Sequence, residues 1–337
     1  MNRLSFFLFL FLSLFSVSVC AQDYSDEVIR VDTSLVVVPV RVVDSNGRFI
    51  PNLAKENFRI LEDKTEQKIA YFDTDTAPFA VALMLDVSDS AAFKLKAIQD
   101  AAIAFLNQLR PNDTVMVFAF DANLVKVYEG DTRSLSNLQE SIRLIHTGGG
   151  TSLYDAVDIV NNYLSKASQR KKAIVLLTDG IDTTSRETYL QSLRTAQESN
   201  ALIYSIQYDT SRDIRGTSIN PSSGTTLNIV TAKGEPLSNA YKHGTIYLNF
   251  LSANSGGRLY FAATVESLTK VFGQIASELS QRYVLSYYPQ NRSADGKQRN
   301  IKISVNKQNA KIRTRKNYTL NPHEFSAITA GHARPKQ

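Results

Sequence analysis

The hydrophobic pattern changes twice along the chain and so divides it into three parts. Before residue 78, apolar residues occur in short β-type runs at 34–43, 58–62 and 67–72, separated by turn residues such as the Asn46-Gly47 pair. Between 78 and 281, apolar runs alternate with segments of helical periodicity, and beyond 281 β-type runs return. This order predicts an α/β fold with a doubly wound, mostly parallel sheet, inserted in a small β-sandwich that the N- and C-terminal strands form.

The central part contains the predicted elements of the α/β fold. Its strands are expected at residues 79–86, 115–120, 173–177, 202–207 and 258–261. Its helices are expected at residues 91–109, 135–145, 152–166, 186–198, 246–253 and 265–279. The polar, Gly- and Ser-rich residues 210–244 predict a long loop or insertion. The returning β pattern predicts strands at 283–288, 300–305 and 310–313.

Length and composition allow two domains, because 337 residues with 43% apolar residues can give each its own core. The tail has little to bury and is expected to be disordered. The predicted boundaries are a signal peptide at 1–21, N-terminal sandwich strands at 22–77, the α/β domain at 78–281, C-terminal sandwich strands at 282–320 and the tail at 321–337.

The N-terminus has the pattern of a secretory signal peptide. Arg3 precedes an apolar run at residues 6–19, and Ala21 ends a small-residue cleavage site. A retained anchor and a lipoprotein signal at Cys20 are the alternatives. Because Cys20 is the only cysteine, the mature chain would contain no disulfide. No later apolar run is long enough for a transmembrane helix, so we expect a soluble periplasmic, cell-surface or secreted protein.

The formal net charge of +6 is unevenly distributed. The segment from 292 to 316 contains nine basic residues and a single acidic residue, Asp295. One interpretation is a basic face for an anionic surface. Alternation with apolar residues favours instead two strands whose charged sides face water. A nucleic acid is not an expected partner of an exported protein. The basic residues are Arg292, Lys297, Arg299, Lys302, Lys307, Lys311, Arg313, Arg315 and Lys316.

Oxygen-bearing side chains follow three segments of the predicted α/β fold. Asp86, Ser88 and Ser90 follow the first strand, Thr151 closes the Thr-Gly-Gly-Gly-Thr-Ser motif at 147–152, and Asp179 follows the 173–177 strand. Ligand sites of parallel sheets lie beyond the carboxyl ends of the strands, so these oxygens are expected to converge. Carboxylates and hydroxyls suit Mg²⁺, Mn²⁺ or Ca²⁺ and suit zinc or copper poorly. Taken singly, Ser90 is typical of a helix N-cap and Asp179 of a turn.

The ordered set of D-x-S-x-S, Thr and Asp resembles the metal-ion-dependent adhesion site of von Willebrand factor type A domains. The resemblance covers roughly residues 79–280, and the flanking residues 40–72 and 278–305 are similar to a bacterial family of related proteins described from Acidobacteria. It implies that a divalent cation, Mg²⁺ above all, binds to Asp86, Ser88, Ser90 and Thr151 directly or through water and to Asp179 through water. An Asp or Glu side chain of a protein partner would fill the open position.

Four further residues are candidates for supporting these ligands. Gly149 and Gly150, with Gly148, would let the backbone pass close to the ion. Asp121 and Asp155 are candidates for hydrogen bonds behind the ligands, although a solvated loop end and an acid in the first turn of a helix are the simpler interpretations.

The motifs of three enzyme classes are incomplete. An aspartyl phosphatase requires D-x-D, but residue 88 is Ser, and a P-loop requires a lysine that the 147–152 motif lacks. A serine hydrolase requires a base and an elbow motif; His146 is near the 147–152 motif, but no G-x-S-x-G occurs. We therefore expect an adhesion or interaction module that is not an enzyme. A metal-assisted hydrolase and a structural envelope component with a stabilising metal are the alternatives.

Overall fold

The computed structural model describes residues 35–74, 78–132, 135–169, 171–208, 231, 234–293 and 295–319. The predictions for the signal peptide, for residues 209–230 of the loop and for the tail lie outside the described residues.

The strands are β1 Val36–Val43, β2 Phe58–Glu62, β3 Thr65–Gln67, β4 Ile69–Asp73, β5 Phe79–Asp86, β6 Thr114–Phe120, β7 Leu124–Asp131, β8 Lys171–Thr178, β9 Leu202–Tyr208, β10 Arg258–Ala262, β11 Tyr283–Tyr287, β12 Gln298–Val305, β13 Lys311–Thr314 and β14 Asn317–Thr319. The helices are α1 Leu95–Leu106, α2 Leu135–Arg143, α3 Leu153–Ser165, α4 Tyr189–Glu198, α5 Leu237–Ser255 and α6 Val265–Ser280.

A six-stranded sheet in the order β10-β9-β8-β5-β6-β7 forms the α/β part. The strands from β10 to β6 are parallel, and the edge strand β7 is antiparallel to β6. All eight residues of β5 are buried, because helices cover both faces of the sheet. Alternate residues of β5 therefore contribute to two cores. Val81 and Leu83 pack with α1 and α6, whereas Ala82 and Met84 pack with α3 and α5.

The strands on either side of the α/β part pair with one another. β1 lies antiparallel to β11 with Val38 opposite Leu285, and β2 lies antiparallel to β12 with Ile60 opposite Ile303. Two four-stranded sheets result, β13-β1-β11-β4 and β14-β12-β2-β3, and apolar residues of both form one core. The predicted fold class is confirmed: a doubly wound, mostly parallel sheet is inserted in a small β-sandwich. The exact domain boundaries stay predictions.

The basic C-terminal segment is not a single charged face. β12 alternates as its pattern predicts, with Lys302 exposed between two buried isoleucines. Arg299 and Arg315, in contrast, are buried. Arg299 pairs with Glu62 at 3.1 Å inside the sandwich, and Arg315 donates to backbone carbonyl groups at the end of α4. These two cations therefore hold the fold together and are not available to an anionic surface.

The pairing of the N-terminal strands differs from the prediction. The strand expected at 67–72 is interrupted at Lys68, so that β3 pairs with β2 while β4 pairs with β11 in the other sheet. The turn between β2 and β3 consists of Asp63 and Lys64, whose φ angles of 45° and 73° are those of a type I′ hairpin turn. The Asn46-Gly47 turn closes a single bridge between Val43 and Phe49, and the main partners of β1 are β11 and β13.

Two helices and two strands also depart from the prediction. A 3₁₀-helix, Asp89–Lys94, precedes α1, which starts later and ends earlier than predicted. α5 starts at Leu237, so the predicted loop was wrong for residues 237–244. Its buried positions there are Ala240 and Gly244, which are too small to give a strong apolar signal. β7 and β14 were not predicted: β7 is an edge strand with no fully buried residue, and β14 has only three residues.

Glu278, near the end of α6, joins the α/β part to the sandwich. Its carboxylate accepts a hydrogen bond from the Tyr204 hydroxyl at 3.2 Å and pairs with Arg282 and with Arg313 of β13. Burial, the largest single influence, raises the pKa of Glu278. The positive charges of Arg313, Arg282 and Arg41 together outweigh burial and hold that pKa below its usual value.

We expect Glu278→Gln to lower the free energy of unfolding at neutral pH by about 3 kcal/mol, because it leaves buried arginines without a counter-charge. A carboxyl whose pKa is lowered by folding stabilises the protein above its unfolded pKa of about 4.3. That contribution is lost as the pH falls through the folded pKa. Urea unfolding should therefore show the gap between wild type and variant closing in acid. A gap that does not depend on pH would contradict this assignment.

Candidate metal centre

Three loops meet at the carboxyl edge of the central sheet, where the adjacent parallel strands β5 and β8 end. The Gly148 N–H donates to the Val87 carbonyl oxygen at 3.0 Å, which ties the 147–152 loop to the loop after β5. The Thr183 N–H donates to the Thr151 carbonyl oxygen at 2.8 Å, which ties the same loop to the one after β8. The predicted convergence of these loops therefore rests on backbone hydrogen bonds.

Asp86 is the most buried of the candidate ligands, with none of its surface exposed. Its Oδ1 accepts hydrogen bonds from the Ser88 N–H at 3.0 Å and the Ser88 hydroxyl at 2.6 Å, and its Oδ2 accepts one from the Thr178 hydroxyl at 2.6 Å. Burial raises the pKa of Asp86, and the hydrogen bonds from Ser88 and Thr178 act against that rise. All of these donors are neutral, so the buried carboxylate is held where a cation would relieve the cost of its burial.

The oxygen atoms continue in a row from Asp86 to Asp179. The hydroxyl oxygens of Ser88 and Ser90 are 3.1 Å apart, and the Ser90 hydroxyl donates to Asp179 Oδ2 at 2.9 Å. The other oxygen, Oδ1, accepts the Ile181 N–H at 3.0 Å. Ser90 is therefore not the N-cap that the sequence predicts: it lies inside the 3₁₀-helix, and its hydroxyl bridges two loops.

Thr151 is positioned through its backbone. Its N–H donates to the Thr183 hydroxyl at 2.8 Å, and its carbonyl oxygen accepts the N–H groups of Thr183 and Thr184. None of these hydrogen bonds involves the Thr151 side chain. The residue is buried and lies just before the start of α3. Hydrogen bonds within the protein thus hold the backbone of this loop.

The segment that contains the candidate ligands matches a known protein family. Residues 81–181 match the family model of the von Willebrand factor type A domain. All five candidate ligands lie inside the matched segment. The match covers less than a third of the chain, and the sandwich strands lie outside it.

Other similarities are more distant. An uncharacterised protein of Borreliella burgdorferi is 27% identical over 142 residues, and the match covers 40% of this chain and 41% of that protein's length.

Among solved structures, the chain is similar to a von Willebrand factor type A protein from Catenulispora acidiphila. The two are 11% identical, the match covers 88% of this chain and 77% of that one, and the TM-score is 0.46. It is also similar to the von Willebrand factor domain of the type V pili tip protein Mfa5 from Porphyromonas gingivalis, with 13% identity, coverage of 60% and 95%, and a TM-score of 0.45. The narrower resemblance to the family described from Acidobacteria stays a prediction.

The oxygen cluster at the carboxyl edge of the sheet fits a hard divalent cation. It combines the carboxylates of Asp86 and Asp179 with neutral hydroxyls, and Mg²⁺, Mn²⁺ and Ca²⁺ all prefer such oxygen ligands. Among the residues that the structure describes, no group of three or more His, Cys, Asp and Glu side chains is placed to hold a metal. A cation at this site would therefore depend on hydroxyl as well as carboxylate oxygens.

The glycines of the 147–152 loop differ in what they contribute. A Cβ on Gly148 would lie 1.9 Å from Asp121 Oδ2, so any other residue here would require the Asp121 side chain to move. Gly150 has a φ of +77°, a conformation that strains other residues. A Cβ on Gly149 would meet only Asp89 Oδ2, at 3.6 Å, which is an ordinary contact. The close approach thus depends on Gly148, and the turn depends on Gly150.

Asp121 and Asp155 hold neighbouring backbone in place. Asp121 Oδ1 accepts the Asn123 N–H at 2.6 Å, and its Oδ2 lies against Gly148. Asp155 Oδ1 accepts the N–H groups of Arg186 and Glu187 at 3.1 and 2.8 Å, just before α4. These hydrogen bonds go to backbone groups and not to the oxygen row, so both carboxylates support the loops around the site.

Two supporting residues were missed by sequence reasoning. The Thr178 hydroxyl donates to Asp86 Oδ2 and accepts the Gly180 N–H at 3.0 Å, so it links two loops. Asp182 Oδ1 accepts the Leu153 N–H at 3.0 Å at the start of α3. The density of oxygen-bearing side chains at residues 178–185 was the available signal, because six of the eight positions there are Thr, Ser or Asp.

Proposed function

We propose that the protein is an exported interaction or adhesion module, not an enzyme, that binds an acidic side chain of a partner protein through a divalent cation. Mg²⁺ is the expected ion, with Mn²⁺ or Ca²⁺ as alternatives. The observation that carries this proposal is the row of hydrogen-bonded oxygens from Asp86 to Asp179. The row lies at the carboxyl edge of the sheet, within the segment that matches the von Willebrand A family model.

Each candidate ligand would have a defined part in holding the ion. Asp86, Ser88, Ser90 and Thr151 would bind it directly or through water, and Asp179 through water. When bound, the cation supplies a positive charge that attracts a carboxylate. Because the protein contributes two negative charges and otherwise neutral hydroxyls, that attraction is not cancelled by an excess of acidic ligands.

Export rests on the signal-peptide pattern of residues 1–21, which lie outside the described part of the chain. Among the described residues, none of the helices combines the length and apolar character needed to cross a membrane. We infer that the module acts in the periplasm, at the cell surface or in the medium.

The test is binding of immobilised protein to three peptide pools that share random flanks and carry a single central Asp, Glu or Asn. The Asp and Glu pools should bind in Mg²⁺ and not in chelator, and the Asn pool should bind in neither. Asp86→Asn protein should bind none of the pools. If Mg²⁺ raises the melting temperature but no acidic pool binds, the protein is a metal-stabilised structural component and the proposal fails.

A further inference from the structure

A groove next to the candidate metal centre has an apolar floor. It has a volume of about 410 Å³ and lies between β7 and the end of α2. Val87, Ala119 and Ile145 line it and are buried. Val125 of β7 and Leu144, just after α2, also line it, and they are 59% and 65% exposed. Isolated apolar side chains are common on protein surfaces, but two that flank one apolar groove indicate a place where contact with another molecule is favourable.

The groove adjoins the loops of the candidate metal centre, although none of the five candidate ligands lines it. Val87 lies in the chain between the candidate ligands Asp86 and Ser88, and its carbonyl oxygen accepts the Gly148 N–H. Gly148 in turn packs against the carboxylate of Asp121, which lines the groove. An extended partner chain advances by about 3.3 Å per residue, so the residues next to the one on the ion are those placed to reach a groove that adjoins the site.

The charges around the groove limit what it accepts. Asp121 carries its carboxylate at the end nearest the metal centre, and the hydrogen bonds that it accepts come from the neutral amide groups of Asn123. Lys126, on the rim, already pairs with Glu129. A second acidic side chain would therefore meet Asp121, whereas an apolar one would cover Val125 and Leu144.

We propose that this groove receives an aliphatic or aromatic side chain that lies within two residues of the partner's metal-binding acid. This inference rests on the proposed function and makes it more specific. The partner is then recognised by a two-part motif: an acid for the cation and an apolar neighbour for the groove. Acidic segments without an apolar neighbour would bind more weakly.

The test is selection from a displayed library of nine-residue peptides with a fixed central Asp and random flanks, bound in Mg²⁺ and eluted with chelator. Wild-type protein should enrich Leu, Ile, Val, Met or Phe within two positions of the Asp. Leu144→Ser and Val125→Ser change exposed side chains and should leave folding and Mg²⁺ affinity unchanged. Each should abolish that enrichment and weaken binding of the selected peptide about tenfold, as loss of one apolar contact implies. Phe261→Ser, which is 64% exposed on the opposite edge strand β10, is the matched control and should behave as wild type.

The outcomes separate the two proposals. Chelator-eluted peptides without apolar enrichment, or enrichment that Leu144→Ser and Val125→Ser leave intact, would overturn the groove and keep the metal-dependent function. If the wild type yields no chelator-eluted peptides, both proposals are overturned.

Discussion

The difference in stability between Asp86→Asn and wild type is expected to change sign when Mg²⁺ is added. In chelator, the variant should be at least as stable as wild type, because removal of a fully buried charge offsets the weakening of the hydrogen bonds from Ser88 and Thr178. In Mg²⁺ at 100 times the dissociation constant, the wild type should gain about 2.7 kcal/mol of unfolding free energy. The variant should gain nothing. Chemical unfolding with and without Mg²⁺ measures both differences.

The control for this experiment is a buried aspartate at the other end of β5. Asp113 accepts the N–H groups of Phe79 and Arg110 at 2.8 and 2.9 Å. Asp113→Asn should cost about 1 kcal/mol by weakening these hydrogen bonds. That loss should be the same with and without Mg²⁺, because the side chain is remote from the oxygen row. An Asp86→Asn variant that responds to Mg²⁺ as wild type does would remove Asp86 from the site.

Gly244→Ala is expected to lower the stability of the protein and to weaken Mg²⁺ binding at the candidate metal centre. Gly244 lies in α5, and a Cβ there would be 2.6 Å from the Gly180 carbonyl oxygen and 3.0 Å from the Gly180 Cα. The clash is with backbone, so the helix or the loop that carries Asp179 must move. We expect a loss of about 1–3 kcal/mol of stability from overpacking. Displacement of Asp179 should also weaken Mg²⁺ binding by about tenfold or more.

A second helical glycine provides the comparison. A Cβ on Gly273 of α6 would meet only the Gln108 side chain, at 3.4 Å. Gly273→Ala should therefore stabilise the protein by about 0.5–1 kcal/mol, the usual gain of alanine over glycine in a helix, with no change in Mg²⁺ affinity. If Gly244→Ala behaves like Gly273→Ala in both measurements, the contact between α5 and the Asp179 loop does not control the site.

The parts of the fold that could be predicted are those whose signal is local. β5 is an unbroken apolar run that ends at Asp86. Such a run predicts a central strand with both faces covered, and all eight residues of β5 are buried. The start of α5 could not be predicted, because Gly244 is buried against Gly180. Gly180 is 64 positions away in the sequence, and no local pattern reveals such a contact. The contacts of Glu278 with Arg41 and Arg313 could not be predicted for the same reason, because these two arginines lie in strands at the two ends of the described chain.

The candidate site was predictable to the extent that sheet topology determines it. Residues that follow parallel strands arrive at one edge, so the meeting of Asp86, Ser90 and Asp179 could be predicted from their order. The roles of individual side chains could not, because they depend on rotamers and loop geometry. Ser90 bridges to Asp179 and does not cap a helix, and the Thr178 hydroxyl bonds to Asp86.

Calorimetric titration of Mg²⁺ into metal-stripped protein shows whether the oxygen row is a cation site. If the oxygens of Asp86, Ser88, Ser90, Thr151 and Asp179 form a cation site, the wild type will show saturable binding of one ion, and Asp86→Asn will show none. Titration with Mn²⁺ and Ca²⁺ extends the test to the other ions that such oxygens bind. If the wild type binds none of the three ions, or if Asp86→Asn binds them as the wild type does, these oxygens do not form a cation site.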